Sequence, residues 1–390
     1  MNEDPGPDIL AYLHSFDPGG VERTALRLCA AWHEQGARVT VLMGRMTGVT
    51  NASAPPLDYA VYPSGIVPTA PFETLWMIRC LWKQVRAKRP DVIFCAGNSY
   101  TVVAVALRLL LGRACPPIVT KVSNRLDRRD MPWFGRPFYR LWLRIQGRLL
   151  DRWVAIAPGL DGEIATFTRV SPGRIALIAD PAISEAEASA LAAGRAGRRA
   201  PAEGRLFLAV GRLARQKRFD LLIDAFARGA RPGDRLAIFG EGPLRARLEA
   251  RAARRGLAGR LLLPGHSVDL APWFAHADAL VMSSDYEGLP AVLVEALAAG
   301  LPIISTRSSA GVTALLEDGL GRLVDTGDVD ALAAALSAEV PARQSEAARV
   351  RAAAFRIEQA GPAWLDLLRR AARPCSRHVR QSRSEAVSEQ

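Results

Sequence analysis

Short apolar runs alternate with longer segments of helical spacing along most of the chain. In the first half, strand-like runs lie at residues 9–13, 38–43, 91–96, 117–122 and 152–157. Most segments between them carry apolar residues at the three-to-four spacing of an amphipathic helix. Strands that alternate with helices form parallel sheets, because each parallel connection needs a crossover. The pattern therefore predicts one Rossmann-like α/β domain over residues 1–183.

A second alternation begins at Arg205, with the strand-like runs RLFLAVGRL, RLAIFGEG, RLLLPG, DALVMSS and LPIIST. These runs predict a second Rossmann-like domain over 205–355, followed by a helix at 356–373 that packs back toward the first domain. The segment 184–204 is rich in Ala, Gly and Arg, so we interpret it as a linker. Two doubly wound domains in series predict a ligand cleft between them, at the carboxyl ends of the strands.

Composition and charge limit the partners and the compartment. The 390 residues include 51 Lys and Arg against 39 Asp and Glu, which makes nucleotide phosphates, anionic lipid and nucleic acid candidate partners. No nucleic-acid-binding motif accompanies the charge, so we expect no nucleic acid partner. Five scattered cysteines without a CxxC pair indicate reduced thiols in a cytoplasmic protein. The polar tail 374–390 is predicted to be disordered.

The best candidate for a membrane span is Thr101–Leu111, which has 11 residues and contains Arg108. A span needs roughly 20 apolar residues. We therefore expect a soluble or peripheral protein.

The loop GRLARQK follows the first strand of the second domain and carries Arg212 and Lys217. At this edge a doubly wound sheet binds phosphate. A guanidinium grips a diphosphate bidentately, and an ammonium adds a point charge. If a diphosphate is the leaving group, both cations stabilise the transition state selectively, because the negative charge grows there. An ordinary basic surface loop is the alternative.

The stretch SSDYEGLPAVLVEALAAGLPIIST places two glutamates around an otherwise apolar helix. Pro290 suits a first helical turn, so the amides of Gly288 and Leu289 are predicted at a helix N-terminus, which favours anions. Glu287 at this mouth and Glu295 inside the helix would accept hydrogen bonds from sugar and ribose hydroxyls, since a buried carboxylate needs such partners. A structural arginine is the alternative partner of Glu295.

These motifs resemble those of the retaining GT-B glycosyltransferases of family 4, also called group 1. EGLPAVLVEALAAGLPIIST is similar to the family signature, and VGRLARQKRFDLLIDAF is similar to its diphosphate-binding segment. FDPGG, followed by VERTALRLCAAWHEQGARVTVL, resembles the glycine loop and first helix of the N-terminal domain. The resemblance covers nearly all of residues 8–370 and is most specific over 205–335. It implies the GT-B fold, in which two doubly wound domains face a cleft.

The resemblance also implies roles for individual residues. The donor-binding residues would be Gly19, Gly20, Arg212, Lys217, Glu287, Gly288, Leu289 and Glu295, and the catalytic ones Glu287, Lys217 and Arg212. Glu295 would bind the ribose and Glu287 the donor sugar beside the reacting carbon. The amides of Gly19 and Gly20 would approach the phosphate or the sugar, and glycine permits that close approach.

The acceptor side departs from the family pattern. Many relatives carry a histidine after a strand of the N-terminal domain, where this chain has Ser123 and Asn124 in TKVSNRLD. We therefore name Ser123, Asn124 and His14, which ends the first strand, as acceptor-side candidates. A structural histidine is the alternative for His14. A common Asn-Pro before the linker reads here as Asp180-Pro181.

No metal site and no cofactor are expected. The histidines form no ligand pattern, and the triplet Asp328–Asp330 precedes a helix, where Asp is a common N-cap. Cations and a helix N-terminus would take the place of a metal ion at the diphosphate. No carboxylate can be assigned as a nucleophile, so the resemblance favours front-face displacement, and double displacement stays open.

The expected activity is transfer of a sugar from a UDP- or GDP-sugar to a glycan or lipid-linked acceptor, in the synthesis of cell-surface polysaccharide or glycolipid. A GT-B epimerase or phosphorylase is an alternative enzyme. A catalytically silent sugar-nucleotide binder or a membrane-associated assembly subunit is an alternative outside catalysis. The intact set of Arg212, Lys217, Glu287 and Glu295 argues against a silent protein.

The segment 121–152 combines basic and aromatic residues, with nine Lys and Arg against three Asp. Basic amphipathic segments with aromatics bind anionic membranes. A core-packing helix with a solvated basic face is the alternative. We expect a cytoplasmic protein that is peripheral on the inner face of the membrane.

Overall fold

A computed structural model resolves the chain into two compact units. The first comprises Met1–Pro181 and Ala360–Gln390, and the second Ala182–Gln359. The structure describes residues 6–16, 19–47, 54–63, 72–128, 131–196, 204–267, 269–340 and 346–372. The predicted disordered tail, 374–390, lies outside these residues.

The strands lie in two sheets. They are β1 (Asp8–Leu13), β2 (Arg38–Met43), β3 (Asp58–Val61), β4 (Val92–Cys95), β5 (Ile118–Val122), β6 (Arg152–Ala155), β7 (Ile175–Leu177), β8 (Leu206–Val210), β9 (Arg235–Phe239), β10 (Leu261–Gly265), β11 (Ala279–Met282), β12 (Ile303–Thr306) and β13 (Arg322–Val324).

Helices connect the strands. They are α1 (Gly20–Glu34), α2 (Glu73–Lys88), α3 (Thr101–Leu111), α4 (Arg136–Leu149), α5 (Leu160–Thr168), α6 (Glu185–Ala196), α7 (Phe219–Gly229), α8 (Arg245–Arg254), α9 (Ala271–His276), α10 (Ala291–Ala299), α11 (Ala310–Leu316), α12 (Val329–Ser337), α13 (Glu346–Ala353) and α14 (Ile357–Ala371).

Each unit contains one parallel sheet. The first sheet has seven strands in the order β3-β2-β1-β4-β5-β6-β7, and the second has six in the order β10-β9-β8-β11-β12-β13. The strand order reverses between β1 and β4 and again between β8 and β11. Doubly wound sheets bind ligands at such reversals, outside the carboxyl ends of the strands. The predicted pair of Rossmann-like α/β domains is confirmed.

Aromatic residues fill the core of the first unit on the side of α1. The ring of Phe94 on β4 lies 5.1 Å from that of Trp32 and 5.7 Å from that of Trp364, centroid to centroid. Trp364 belongs to α14, and its indole N–H donates to the carbonyl of Ala179 at 3.1 Å. The last helix therefore contributes a large apolar side chain to this unit.

A buried ion pair explains the Asp180-Pro181 dipeptide. Lys121 on β5 is 1% exposed, and its Nζ lies 2.9 Å from Oδ1 of Asp180. A buried ammonium needs a counter-charge, because its desolvation is otherwise uncompensated. An asparagine at position 180 would leave that charge unbalanced.

The predicted linker, 184–204, requires correction, because part of it is α6. This helix packs against α9 and α10 of the second unit. Arg195 is 4% exposed and donates to the carbonyls of Phe274 and Ala277, at 3.1 and 2.7 Å. These bonds satisfy the end of α9, so a segment with few large apolar residues is still fixed to the domain.

Candidate functional site

A charged pair lies at the strand-order reversal of the second sheet. Lys217 ends the 3-10 turn Arg215–Lys217 after β8, and Glu287 follows β11. The Nζ of Lys217 lies 2.6 Å from Oε1 of Glu287, and the two side chains are 17% and 9% exposed. Because β8 and β11 are neighbours, the sheet brings together two predicted site residues from separate motifs.

The loops that carry this pair are joined through their backbones. The carbonyl of Lys217 accepts from the Ser283 hydroxyl at 2.7 Å, and the side-chain amide of Gln216 donates to the carbonyl of Tyr286 at 2.8 Å. A Cβ on Gly211 would lie 2.9 Å from Cε of Lys217, so glycine leaves room for the lysine stem. Gln216 and Ser283 could not be predicted from the sequence, because single polar residues in loops give no pattern.

The N-terminus of α10 adjoins the pair. Pro290 is the N-cap, so the helix begins one residue later than predicted. The amides of Gly288 and Leu289 donate no hydrogen bond to any described residue. The Ser309 hydroxyl donates to the Gly288 carbonyl at 2.7 Å, which fixes this turn. Unpaired amides at a helix start attract anions.

Arg212 and Glu295 are two further predicted site residues. Arg212 belongs to the same motif as Lys217, and Glu295 to the same motif as Glu287. Arg212 is exposed on the loop after β8, and within the described chain its guanidinium has no hydrogen-bonding partner. Glu295 is the fifth residue of α10 and is partly buried, whereas the seven positions from Leu293 to Ala299 are otherwise fully buried. Arg212 is thus free to bind an anion.

The first sheet presents polar residues at its own strand-order reversal. His14 follows β1, and its ring stacks on that of Tyr100 with centroids 4.8 Å apart. The hydroxyl of Tyr100 donates to Oε1 of Glu22 at 2.7 Å. The other carboxylate oxygen of Glu22 lies against Gly19, 1.9 Å from where a Cβ would be. Gly19, the N-cap of α1, therefore has a carboxylate beside it.

Burial decides the charge of His14. Burial lowers the pKa of this imidazole below its usual 6.5, and Arg45 acts in the same direction, whereas Glu73 and Glu22 raise it. The ring is therefore neutral at pH 7. Its buried Nδ1 has no hydrogen-bond partner among the described residues.

The other two acceptor-side candidates are both held by Asn98. Its Oδ1 accepts from the backbone N–H of Ser123 at 2.9 Å, and its Nδ2 donates to the carbonyl of Asn124 at 3.1 Å. Asn98 follows β4 and Ser123 follows β5, so adjacent strand ends bring them together. A Cβ on Gly97 would lie 2.7 Å from the Ser123 hydroxyl oxygen, so the two loops are in close contact.

The Asp328–Asp330 triplet is a helix cap. Asp328 is the N-cap of α12, and its carboxylate accepts from the N–H of Ala331 at 2.8 Å. Asp330 pairs with Arg228. The capping interpretation is confirmed. In the part of the chain that the structure describes, no three His, Cys, Asp or Glu side chains are grouped as a metal site would require.

Two family models match the chain. The model described as "Glycosyltransferase Family 4" matches residues 18–181, and the one described as "Glycosyl transferases group 1" matches residues 204–339. Together they cover the second sheet and all strands of the first sheet except β1.

Similar proteins include two that are named for lipopolysaccharide or polysaccharide biosynthesis. The lipopolysaccharide core biosynthesis glycosyltransferase LpsE of Rhizobium meliloti is 37% identical over 147 residues, covering 37% of this chain and 42% of LpsE. The Vi polysaccharide biosynthesis protein VipC/TviE of Salmonella typhi is 36% identical over 94 residues, covering 24% of this chain and 16% of that protein. The matches thus span less than half the length of these relatives.

Solved structures show the same fold at low identity. Anabaena HepE in complex with UDP and glucose has a TM-score of 0.72 and 17% identity, covering 93% of this chain and 99% of HepE. Sucrose-phosphate synthase of Thermosynechococcus elongatus has a TM-score of 0.73 and 20% identity, covering 93% and 98%. With both halves of the chain matched by family models, the protein belongs to the group 1 (family 4) glycosyltransferases.

Proposed function

We propose that this protein transfers a sugar from a nucleotide diphosphate sugar to a glycan or lipid-linked acceptor, in the synthesis of a cell-surface polysaccharide or glycolipid. The Lys217–Glu287 pair at the strand-order reversal of the second sheet carries the proposal. The names of LpsE and VipC/TviE support a role in polysaccharide synthesis.

The pair has the chemistry that a sugar diphosphate requires. An ammonium has three N–H donors, so Lys217 can bind a phosphate oxygen while it keeps its bond to Glu287. The carboxylate oxygens of Glu287 accept from sugar hydroxyls. The largely buried position strengthens both interactions, because fewer waters compete for the charges. In this proposal Lys217 contacts the phosphate side of the bond that breaks, and Glu287 contacts the sugar side.

Neighbouring groups complete the donor site. Arg212, which has no partner within the described chain, would bind the second phosphate, and the unpaired amides of Gly288 and Leu289 would bind its oxygens. Glu295 would accept from the ribose hydroxyls. The HepE complex with UDP and glucose supports a UDP-sugar, and a GDP-sugar stays an alternative.

The proposed reaction retains the anomeric configuration. The bond between the anomeric carbon and the leaving phosphate oxygen breaks, and the acceptor oxygen bonds to the same face of that carbon. The proton of the acceptor hydroxyl passes to the departing diphosphate. Lys217 and Arg212 stabilise the growing charge on the diphosphate, so we propose that transfer needs no metal ion and no cofactor.

The acceptor candidates lie at or beside the strand-order reversal of the first sheet. His14, Ser123 and Asn124 stay the acceptor candidates, with Asn98 as the residue that positions the latter two. The Glu22 carboxylate beside Gly19 adds negative charge to the start of α1. It therefore favours a neutral sugar hydroxyl over a phosphate at the amides of Gly19 and Gly20.

We propose that α4 and the turn before it contact an anionic membrane. Residues 131–150 contain four Arg and no Asp or Glu. Large apolar side chains in this stretch face solvent: Trp133 is 80%, Phe134 63%, Phe138 75% and Leu141 55% exposed. Exposed aromatics that alternate with arginines fit the interface of an anionic bilayer.

Three of the four arginines of α4 lie on its exposed side. Arg140, Arg144 and Arg148 are four residues apart, which places them along one strip of the helix. Leu143, Gln146 and Gly147 form the buried side. Within the described residues, no helix is long and apolar enough to cross a bilayer. The proposed contact is made by the exposed side of α4.

A donor screen tests the transfer proposal. Hydrolysis of a panel of UDP- and GDP-sugars, without acceptor, is measured for the wild type and for the Glu287→Gln variant. We expect turnover of at least one donor by the wild type and loss in the variant. Binding of a donor without turnover would favour a silent sugar-nucleotide binder. Conversion of the donor to its epimer would favour an epimerase.

Sedimentation with vesicles tests the membrane proposal. We expect pelleting with phosphatidylglycerol vesicles and not with phosphatidylcholine vesicles. Phe138→Ser and Arg144→Glu should each weaken it, by about fivefold or more if each site contributes about 1 kcal/mol. Leu109→Ser is the matched control, because Leu109 on α3 is 67% exposed in the same unit. Equal pelleting of all variants would contradict the contact.

A further inference from the structure

Arg218, next to Lys217, has a backbone conformation that favours glycine. Its φ and ψ are 48° and 39°, in the left-handed region, at the junction between the 3-10 turn and α7. A side chain in this region is strained relative to glycine. An arginine at such a position suggests that its side chain has a use that offsets the strain.

The Arg218 guanidinium binds carboxylates on two elements. Its Nη1 lies 3.1 Å from Oδ1 of Asp285, and its Nε lies 3.1 Å from Oδ1 of Asp220. Asp220 lies in the first turn of α7, whereas Asp285 lies in the loop after β11, two residues before Glu287. The side chain thus crosses from the lysine-bearing loop to the glutamate-bearing loop.

Asp285 is fixed at both ends. Its backbone N–H donates to the carbonyl of Gln216 at 2.9 Å, and its carboxylate accepts from Arg218. The residues on either side of Lys217 therefore both hold Asp285. Rotation of the 285–287 loop away from the lysine would break both interactions.

We propose that Arg218 and Asp285 form a positioning clamp that sets the geometry of the Lys217–Glu287 pair. The clamp has a mechanical part, since it ties the two loops together outside the charged pair. It also has an electrostatic part, because Arg218 offsets the charge of a carboxylate that lies two residues from Glu287 in the chain. The role in catalysis rests on the proposed sugar transfer, and the coupling of the loops does not.

Hydrogen exchange tests the coupling without any donor. Arg218→Gly relieves the backbone strain and removes the clamp, so the fold should survive. We expect amides in peptides covering 283–289 to exchange about tenfold faster in Arg218→Gly and in Asp285→Asn than in the wild type. Arg228→Ala is the control, since it breaks an exposed Arg–Asp pair of the same helix. Unchanged exchange in both clamp variants would overturn the clamp.

Steady-state kinetics with a donor that the wild type hydrolyses test the positioning role of Arg218. We expect Arg218→Gly to lower kcat at least about tenfold while the donor KM changes little, because misplacement mainly affects the transition state. Arg218→Lys should recover part of the rate. The melting temperature of Arg218→Gly should stay near that of the wild type. If Arg218 had a purely structural role, a lower kcat would be accompanied by a lower melting temperature.

A double-mutant cycle tests whether Arg218 and Asp285 affect the rate through one shared interaction or independently. If the residues act as a pair, Arg218→Gly with Asp285→Asn should lose no more rate than either single variant. Losses that multiply would overturn the pairing. If the wild type turns over no nucleotide sugar, the transfer proposal fails, and the exchange experiment still decides whether the clamp exists.

Discussion

The Nζ of Lys217 lies 2.6 Å from Oε1 of Glu287, which joins two residues that are 70 positions apart in the chain. Neither charge is well hydrated, since the side chains are 17% and 9% exposed. Each therefore depends on the other for compensation. A ligand that carries both a negative phosphate and neutral hydroxyls can bind to this pair without leaving either charge unbalanced. Its phosphate would contact Lys217, and its hydroxyls would contact Glu287.

Removal of either charge of this pair should abolish transfer. We expect Lys217→Met and Glu287→Gln to lower kcat by about 100-fold or more, because each removes a fixed interaction with the reacting groups. Lys217→Met should also destabilise the fold, since it leaves a buried carboxylate alone. The double variant should regain stability and stay inactive, as measured by urea unfolding and donor hydrolysis. A rate near that of the wild type in any of the three would refute the site.

Loss of Asp180 should destabilise the first unit. Lys121 is 1% exposed, so Asp180→Ala leaves a buried ammonium without a counter-charge. We expect the free energy of unfolding to fall by about 3–5 kcal/mol. Lys121→Met combined with Asp180→Leu should recover most of the loss, because it removes both charges. Urea unfolding at pH 7 measures this, and equal loss in the single and double variants would contradict the ion-pair explanation.

The stability that Asp224 contributes should disappear in acid. Hydrogen bonds from Arg251, with Arg255 adding to them, lower the pKa of this carboxyl to about 2 against the opposing effect of burial. The unfolded carboxyl titrates near pH 3.9, so between these values only the unfolded chain binds the proton. The contribution is therefore complete above about pH 4 and is lost as the pH falls toward 2.

Asp224→Asn should accordingly lower the free energy of unfolding by about 2 kcal/mol at pH 7. The difference from the wild type should shrink when the pH is lowered from 5 to 3. Asp330→Asn is the control, because its carboxylate is 86% exposed and pairs with Arg228 at the surface. A difference for Asp224→Asn that does not change with pH would contradict the assigned titration.

A chelator should leave transfer intact. Lys217, Arg212 and the N-terminus of α10 supply the positive charge at the proposed diphosphate site. We expect the rate of donor hydrolysis to be equal with and without EDTA. Loss of activity that manganese restores would overturn the metal-free mechanism.

The sequence predicted the elements whose patterns are local. The alternating strands, the apolar helix after Pro290 and the cap at Asp328 follow from neighbouring residues, and the structure contains all three. Helix α6 was missed because its buried residues are Ala188 and Arg195, which do not form an apolar periodicity. Its attachment depends on Arg195, whose partners are backbone carbonyls about 80 residues away.

Pairs of distant residues were also beyond the reach of the sequence. Lys121 and Asp180 are 59 positions apart, and Asn98 is 25 positions from Ser123. Each of these contacts depends on the order of strands in the sheet, which sets the strand ends that are adjacent. A single sequence gives the strands but not that order, so the motif residues were identified and the residues that position them were not.

Calorimetric titration of UDP and GDP into the wild type and Lys217→Met, with Arg228→Ala as the control, tests the donor site most directly. We predict that one of the two nucleotides binds the wild type and the control alike. Its affinity for Lys217→Met should be at least about tenfold lower, a difference of about 1.4 kcal/mol. Equal affinity for the wild type and Lys217→Met, or no binding of either nucleotide to the wild type, would contradict a nucleotide diphosphate site at Lys217 and Glu287.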